Sequence, residues 1–373
     1  MTRSRIGNQR PLSFFIPALN GGGAQKVVVN LANAMIDLTE RPIHLVLARA
    51  EGEFLDQVRP EVTIVDLRCG RALRAIPALA RYMRETRPKV LCSSLNYANV
   101  CATIAWMIAR KPCRLVLRED SVVRPPNGSA LARIRGRIRH QLMASLYSKS
   151  HAVVAISNAV AQTLEQQNIC KSDKIRIIGN PVNMSVAQSS LTSRPARKVG
   201  WQTNYIAAVG RLAEAKGFDV LIRAFSKIDR GDLDLVIVGE GPLRPELERL
   251  IADYGLAGRV HLPGFVPNPG PIVAGAKLFV LSSNWEGFGN VLVEALAAGT
   301  PVVSTDCLGG PCEILCDGEY GHLVPISNPS KLAQGIGSAL LLPRSTPEDR
   351  KMRAMDFDTP VIARRYLEDA FDN

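Results

Sequence analysis

The chain has 373 residues, more than a single ordinary core accommodates, so two domains are expected. Hydrophobic residues at 46% and charged residues at 21% place it among ordinary globular proteins, and aromatics at 5% argue against a stacking platform for single-stranded nucleic acid. The net charge of +12 is concentrated in residues 1–195, while residues 196–373 are mildly acidic, so the first half is expected to meet an anionic surface, phospholipid or nucleic acid.

From the amino end, Met1–Arg10 is basic and polar, and the apolar run Leu12–Leu19 is short and broken by Pro17. No signal peptide is read there, and no run approaches ~20 uninterrupted apolar residues, so a cytoplasmic protein without a spanning helix is expected. Leu12–Ile16 reads as a strand ending in Asn20-Gly21-Gly22-Gly23. A helix is predicted from Ala24 to Leu38, where Val27, Leu31, Ala34 and Leu38 recur at helical spacing. Strand-like runs follow at Ile43–Leu47, Thr63–Leu67, Val90–Ser93, Arg114–Leu117 and Ala152–Ile156, with helical stretches between. Such alternation builds a parallel sheet covered on both faces.

The polar segment Met184–Lys198 reads as a linker. The alternation then restarts, with strands at Tyr205–Val209, Leu233–Val238, Val260–Leu262, Leu278–Leu281, Pro301–Ser304 and His322–Val324. Helices are predicted over Phe218–Phe225, Leu243–Tyr254 and Val291–Ala298. Two α/β halves joined by one linker predict a cleft, because ligands bind outside the carboxyl ends of such strands. The expected bounds are 1–190 for the first domain, 198–355 for the second and 356–373 for a carboxyl-terminal helix.

Three loops carry chemistry. Asn284-Trp285-Glu286-Gly287-Phe288-Gly289-Asn290 joins a strand to a helix, with Asn290 as the expected N-cap. Backbone N–H groups in such a turn favour an anion, while Glu286 and Glu294 suit sugar hydroxyls. Taken alone, the stretch also reads as a glycine turn with two solvated glutamates. In Gly210-Arg211-Leu212-Ala213-Glu214-Ala215-Lys216-Gly217, Arg211 and Lys216 straddle a turn at a strand's carboxyl end. Two cations there neutralise a departing diphosphate without metal; the plainer reading is two surface cations. The glycines at 21–23 let backbone approach a ligand, although neither they nor Gly239-Glu240-Gly241 form a complete G-x-G-x-x-G.

Other features weigh against metal or redox chemistry. The eight cysteines contain no C-x-x-C and read as small buried hydrophobes of a reducing compartment. Asp232-Leu233-Asp234 imitates a metal-binding D-x-D but opens a strand on its amino side, so no essential metal is expected. In Leu131–Tyr147, Ile134, Ile138 and Leu142 share a helical face, with Arg133, Arg137 and His140 off it. That pattern fits a helix lying on anionic lipid, or a core-packed helix with a basic outer face.

The chain resembles the retaining glycosyltransferases that build bacterial polysaccharides and lipid-linked oligosaccharides (family 4, group 1). The resemblance rests on Val209–Leu212 with Lys216-Gly217, Val238–Pro242, Val260–Phe265, the Glu286/Glu294 pair and Ala298–Val303. In the first half it rests on Gly21–Asn33, Ile156–Asn158 and Asn180–Val182. It implies an α/β protein of two Rossmann-like domains (GT-B) facing across a central cleft, with the terminal helix crossing back to the first. It implies that Arg211 and Lys216 hold a nucleotide-diphospho-sugar, that Glu286 with the backbone of Gly287, Phe288, Gly289 and Asn290 meets sugar and phosphate, and that Glu294 binds ribose. Gly22 and Gly23 would approach the phosphate from the first domain.

Transfer with retention to a lipid-linked saccharide, lipopolysaccharide or exopolysaccharide acceptor is implied. Thr305–Pro311 resembles members using UDP-sugars, with GDP-mannose as the runner-up. Where many members carry a histidine, this chain has Arg118-Glu119-Asp120, so Glu119 or Asp120 is a candidate to meet donor or acceptor. A nucleotide-sugar epimerase is the rival with the same architecture. A nucleic-acid binder leaves Glu286 and Glu294 unexplained.

Overall fold

The computed structural model describes residues 9–20, 22–70, 72–123, 130–184, 200, 201, 203–228 and 231–372. Gly21 and nearly all of the polar segment 184–198 lie outside these residues. The chain forms two units, Met1–Pro181 with Thr359–Asn373, and Val182–Asp358.

In the first unit the strands are β1 (Leu12–Ile16), β2 (Ile43–Leu47), β3 (Thr63–Asp66), β4 (Val90–Ser94), β5 (Arg114–Glu119), β6 (Ala152–Ala155) and β7 (Ile175–Ile177). They lie in the order β3-β2-β1-β4-β5-β6-β7, all parallel. β7 was not expected; it has three residues with only Ile175 buried, too short for an apolar pattern. Helices α1 (Gly23–Leu38), α2 (Ile76–Thr86), α3 (Asn96–Ile108), α4 (Ala130–Tyr147) and α5 (Asn158–Gln166) connect the strands. β1 and β4 are buried along their whole length, as a sheet covered on both faces requires.

The second unit carries β8 (Tyr205–Val209), β9 (Asp234–Val238), β10 (Val260–Gly264), β11 (Leu278–Leu281), β12 (Val302–Thr305) and β13 (His322–Val324). Their order is β10-β9-β8-β11-β12-β13, again parallel. Its helices are α6 (Phe218–Phe225), α7 (Arg244–Asp253), α8 (Gly270–Gly275), α9 (Asn290–Ala297), α10 (Pro311–Ile314), α11 (Pro329–Leu341) and α12 (Pro347–Met355).

The connection between units falls at 181/182, before the polar segment, because Val182 is already tied into the second unit. Its N–H donates to the Phe357 carbonyl at 2.9 Å, and it bridges to Asp358. The chain returns at Thr359 into α13 (Thr359–Arg365), which continues as a π-helical turn over Tyr366–Phe371. Ile362, Ala363, Tyr366 and Phe371 enter the first unit's core, and the Phe14 and Phe371 rings lie 6.0 Å apart. Burying a ring of that size is worth roughly 1.5–3 kcal/mol, which anchors the last residues to the first unit.

Each sheet reverses its order once, between β1 and β4 and between β8 and β11. At such a switch point the two following loops diverge and leave a crevice at the strands' carboxyl ends. The Gly22-Gly23 segment follows β1; the Arg211–Lys216 loop follows β8 and the Glu286 turn follows β11.

Candidate active site

The β8–α6 loop and the β11–α9 turn are stitched together by backbone. Asn284 N–H donates to the Ala215 carbonyl at 2.8 Å, its side-chain amide to Glu214 at 2.7 Å, and Ser282 Oγ to Lys216 at 2.8 Å. Gly217 permits this approach. Its φ is +56°, and a Cβ there would lie 2.3 Å from the Ser282 carbonyl oxygen.

The result is a direct contact between two residues chosen from separate motifs. Lys216 Nζ lies 2.5 Å from Glu286 Oε1, with the side chains 21% and 10% exposed. Ser283 Oγ donates to the same oxygen at 2.6 Å, and Thr305 Oγ1 holds the Ser283 carbonyl at 2.6 Å. An ammonium has three donors, so Lys216 can hold Glu286 and still face an anion. Arg211, on the same loop, is exposed and has no carboxylate partner among the described residues. Lys216 and a hydrogen-bonded carboxylate therefore meet at the rim of the second sheet, on a loop that also carries the exposed Arg211. Sequence reasoning missed Ser283, which carries no motif of its own, and had Thr305 only as the start of the Thr305–Pro311 stretch.

α9 begins differently from expectation. Its N-cap is Gly289, at φ +105°, not Asn290, and no side chain caps the helix. Asn290 is its first residue, because the left-handed turn at Gly289 moves the start by one. Phe288 is buried, its ring 5.5 Å from that of Phe357, so it contributes backbone alone to the turn. Glu294 is half-buried, one turn into α9. Cys307 lies beside this cluster. Burial and the nearby Glu286 push its thiol up to about 12, so it stays protonated and is no nucleophile near neutral pH.

The Thr305–Pro311 segment closes on the same turn. Glu286 N–H donates to the Leu308 carbonyl at 3.0 Å, and Trp285 bridges to Leu308. The Asp234 half of the D-x-D is buried and accepts from His261 Nε2 at 2.9 Å, inside the sheet's amino edge.

In the first unit the expectations fare less evenly. Gly22 is the N-cap of α1 with φ −178°, extended backbone that any residue adopts, and Gly23 opens the helix. Glu119, expected near donor or acceptor, is 1% exposed and turned inward. It accepts from Tyr147 at 2.8 Å and from Ser121 at 3.3 Å, while Asp120 pairs with Arg118 and accepts from Leu95 N–H. These donors hold the Glu119 carboxylate enclosed within the first unit at the carboxyl end of β5.

Burial pushes the Glu119 carboxyl up to about 7, against the lowering hydrogen bonds of Tyr147 and Ser121. A carboxyl raised in the folded state favours folding below its unfolded value and withdraws that contribution as pH rises through the folded value. The first unit is therefore expected to lose roughly 2–3 kcal/mol between about pH 4.5 and 7. Glu119→Gln should flatten that slope in thermal melts taken from pH 5 to 8. An unchanged slope would remove Glu119 as its source.

On α4, Ile134, Ile138 and Leu142 are 53%, 59% and 42% exposed, while Met143, Leu146 and Tyr147 face the core. The apolar stripe points outward, flanked by exposed Arg135, Arg137 and Arg139, so the helix packs on the core through another face than the stripe. The side chains of Leu131 and Arg133 lie outside the described residues.

Two parallel Rossmann-like sheets, one with a cationic and acidic rim at its switch point, are the fold of the GT-B class. Residues 21–186 match the model of glycosyltransferase family 4, and residues 192–363 that of glycosyl transferases group 1. A Campylobacter jejuni relative is 31% identical over 96% of this chain and 98% of its own length: N-acetylgalactosamine-N,N'-diacetylbacillosaminyl-diphospho-undecaprenol 4-alpha-N-acetylgalactosaminyltransferase. The lipopolysaccharide core biosynthesis glycosyltransferase LpsE of Rhizobium meliloti is 38% identical over 35% of this chain and 38% of its own. Among solved structures, Anabaena HepE in complex with UDP has a TM-score of 0.79 at 22% identity, over 96% of this chain and 98% of that one. The chain belongs to the group 1, family 4 glycosyltransferases, and it is a glycosyltransferase with their fold.

Proposed function

We propose that this protein is a retaining, metal-independent transferase that moves a hexose or N-acetylhexosamine from a UDP-linked donor to a lipid-linked saccharide or a lipopolysaccharide or exopolysaccharide acceptor. The observation that carries this reading is the Lys216–Glu286 contact at the β8/β11 switch point, on the loop that also carries Arg211. As the sugar–phosphate bond breaks, negative charge grows on the diphosphate. Arg211 and Lys216 neutralise it, and the amino end of α9 adds backbone donors. Glu286 accepts from the donor sugar's hydroxyls, and Glu294 from the ribose. The acceptor oxygen attacks from the face the diphosphate leaves, and its proton passes to the departing phosphate oxygen. This arrangement asks for no metal.

The UDP choice is supported by the nucleotide in the HepE complex, and the acceptor class by the name of the Campylobacter relative. Among the described residues no helix is long and apolar enough to cross a membrane. The exposed Ile134–Ile138–Leu142 stripe with its arginines fits a helix lying in an anionic lipid surface, which brings the enzyme to the inner face of the cytoplasmic membrane.

A thermal-shift screen tests the donor. UDP or a UDP-hexose at about 100 Kd should add about 2.7 kcal/mol, or roughly 5–11 °C in a unit of this size. A response to GDP-mannose alone would move the donor to that nucleotide, and no response to any nucleotide sugar would remove the reading. Turnover of a UDP-sugar without acceptor would favour an epimerase. Ile138→Asp should weaken cosedimentation with anionic vesicles; equal binding would remove the membrane contact.

A further inference from the structure

α12 places two arginines against the carboxyl ends of two different helices. Arg350 is 2% exposed and has no carboxylate in ion-pair range among the described residues. Its Nε and Nη2 both donate to the Gly299 carbonyl, at 3.0 and 2.8 Å, and Nη1 donates to Ser345. A buried cation satisfied by carbonyls and the Ser345 hydroxyl, with no anion, is costly unless the field favours it. Here it does, because Gly299 ends α9. Gly299 N–H donates to Leu296 and Thr300 N–H to Ala295, a Schellman closure, and Arg350 sits on the negative end of the helix dipole.

Arg353, one turn on, does the same to α10. Its Nε donates to Ile314 at 2.9 Å and Nη2 to Glu313 at 2.6 Å, while Asp356 holds Nη1 at 2.6 Å. Its guanidinium lies 4.9 Å from the Phe357 ring centre, and Phe357 packs edge-on against Phe288 in the Glu286 turn. α12 is itself fixed by a capping box between Thr346 and Asp349. The turns at the far ends of these helices, Glu286–Asn290 before α9 and Leu308–Gly310 before α10, touch through the Glu286–Leu308 hydrogen bond.

We propose that Arg350 and Arg353 are positioning residues for the donor: by holding α9 and α10 at their carboxyl ends, α12 sets the register of the Glu286 turn that meets the sugar diphosphate. The inference rests on the donor-site reading above. Neither arginine touches substrate; each acts through a helix and the turn at its far end. Sequence reasoning missed both, since each is one arginine among many in a polar stretch.

Arg353, partly exposed, is the variant to make. In Arg353→Met, the KM for the UDP-sugar and the Kd for UDP should each rise about tenfold, the acceptor KM should hold, and Arg353→Lys should restore part of the loss because an ammonium still donates to Glu313. Equal changes in donor and acceptor KM, or an unchanged donor KM with a lowered melting temperature, would reduce the arginine to scaffolding and overturn the proposal. Arg350→Lys, which keeps a donor for Gly299, gives a second reading if the methionine variant does not fold. UDP titrations of the wild type and Lys216→Ala separate the two levels. Absent binding in the wild type defeats the donor site itself. Binding that Lys216→Ala loses and Arg353→Met keeps defeats only the positioning role.

Discussion

Lys216→Ala is expected to slow sugar transfer by about 10²–10³-fold, the effect of removing one preorganised charge from a developing anion. The lysine is 21% exposed and Glu286 keeps Ser283 as a donor, so the fold should lose only about 1 kcal/mol. The loss should fall on the chemical step, because charge on the leaving diphosphate is greatest in the transition state. Lys216→Arg should rescue little. A planar guanidinium does not reproduce a point contact of 2.5 Å to Glu286 along the side of Gly210, where a Cβ would already meet the lysine's Cε at 3.1 Å. Steady-state rates with a saturating donor decide it: a wild-type kcat in Lys216→Ala would end the site as drawn.

Gly309→Ala should cost about 10²-fold in kcat/KM without touching a charged residue. Gly309 has φ +146°, and a Cβ there would stand 2.4 Å from the Glu286 carbonyl oxygen. Either the 308–310 segment retreats, breaking the 3.0 Å bond from Glu286 N–H to Leu308, or the Glu286 turn moves. A displacement of about 1 Å at a reacting centre is enough for that loss. The strained backbone should lower stability by roughly 1–3 kcal/mol as well. Calorimetry alongside kinetics separates the parts. Melting lowered with kcat/KM intact would mean that the register of the turn does not matter to transfer.

Much of the second unit could be read from residues in a row. β8, β9, β11 and β12 are apolar runs because both sheet faces are covered, and such runs need no knowledge of their neighbours. The glycines at 217 and 289 mark turns, and the ionisable residues beside them are the ones at the sheet rim. The failures have physical causes. Asn290 has good capping chemistry, but a left-handed glycine before it starts the helix a residue earlier. Glu119 ends a strand, where a functional residue could sit, yet the tyrosine that holds it inward comes from α4, 28 residues away. The stripe of α4 was plain in its spacing, but spacing does not say which side is covered.

The sequence by itself determined the two α/β halves, the loops that end their strands, and the charges those loops carry. These follow from local backbone geometry, with alternation, apolar runs and glycine turns written within a few residues of one another. Only the tertiary structure decided that Lys216 meets Glu286 across 70 residues, that Glu119 is enclosed, and that α12 holds α9 and α10 by their carboxyl ends. Those outcomes depend on strand order. Placing β11 beside β8 brings two distant loops to one rim, and no periodicity within either loop encodes that neighbour.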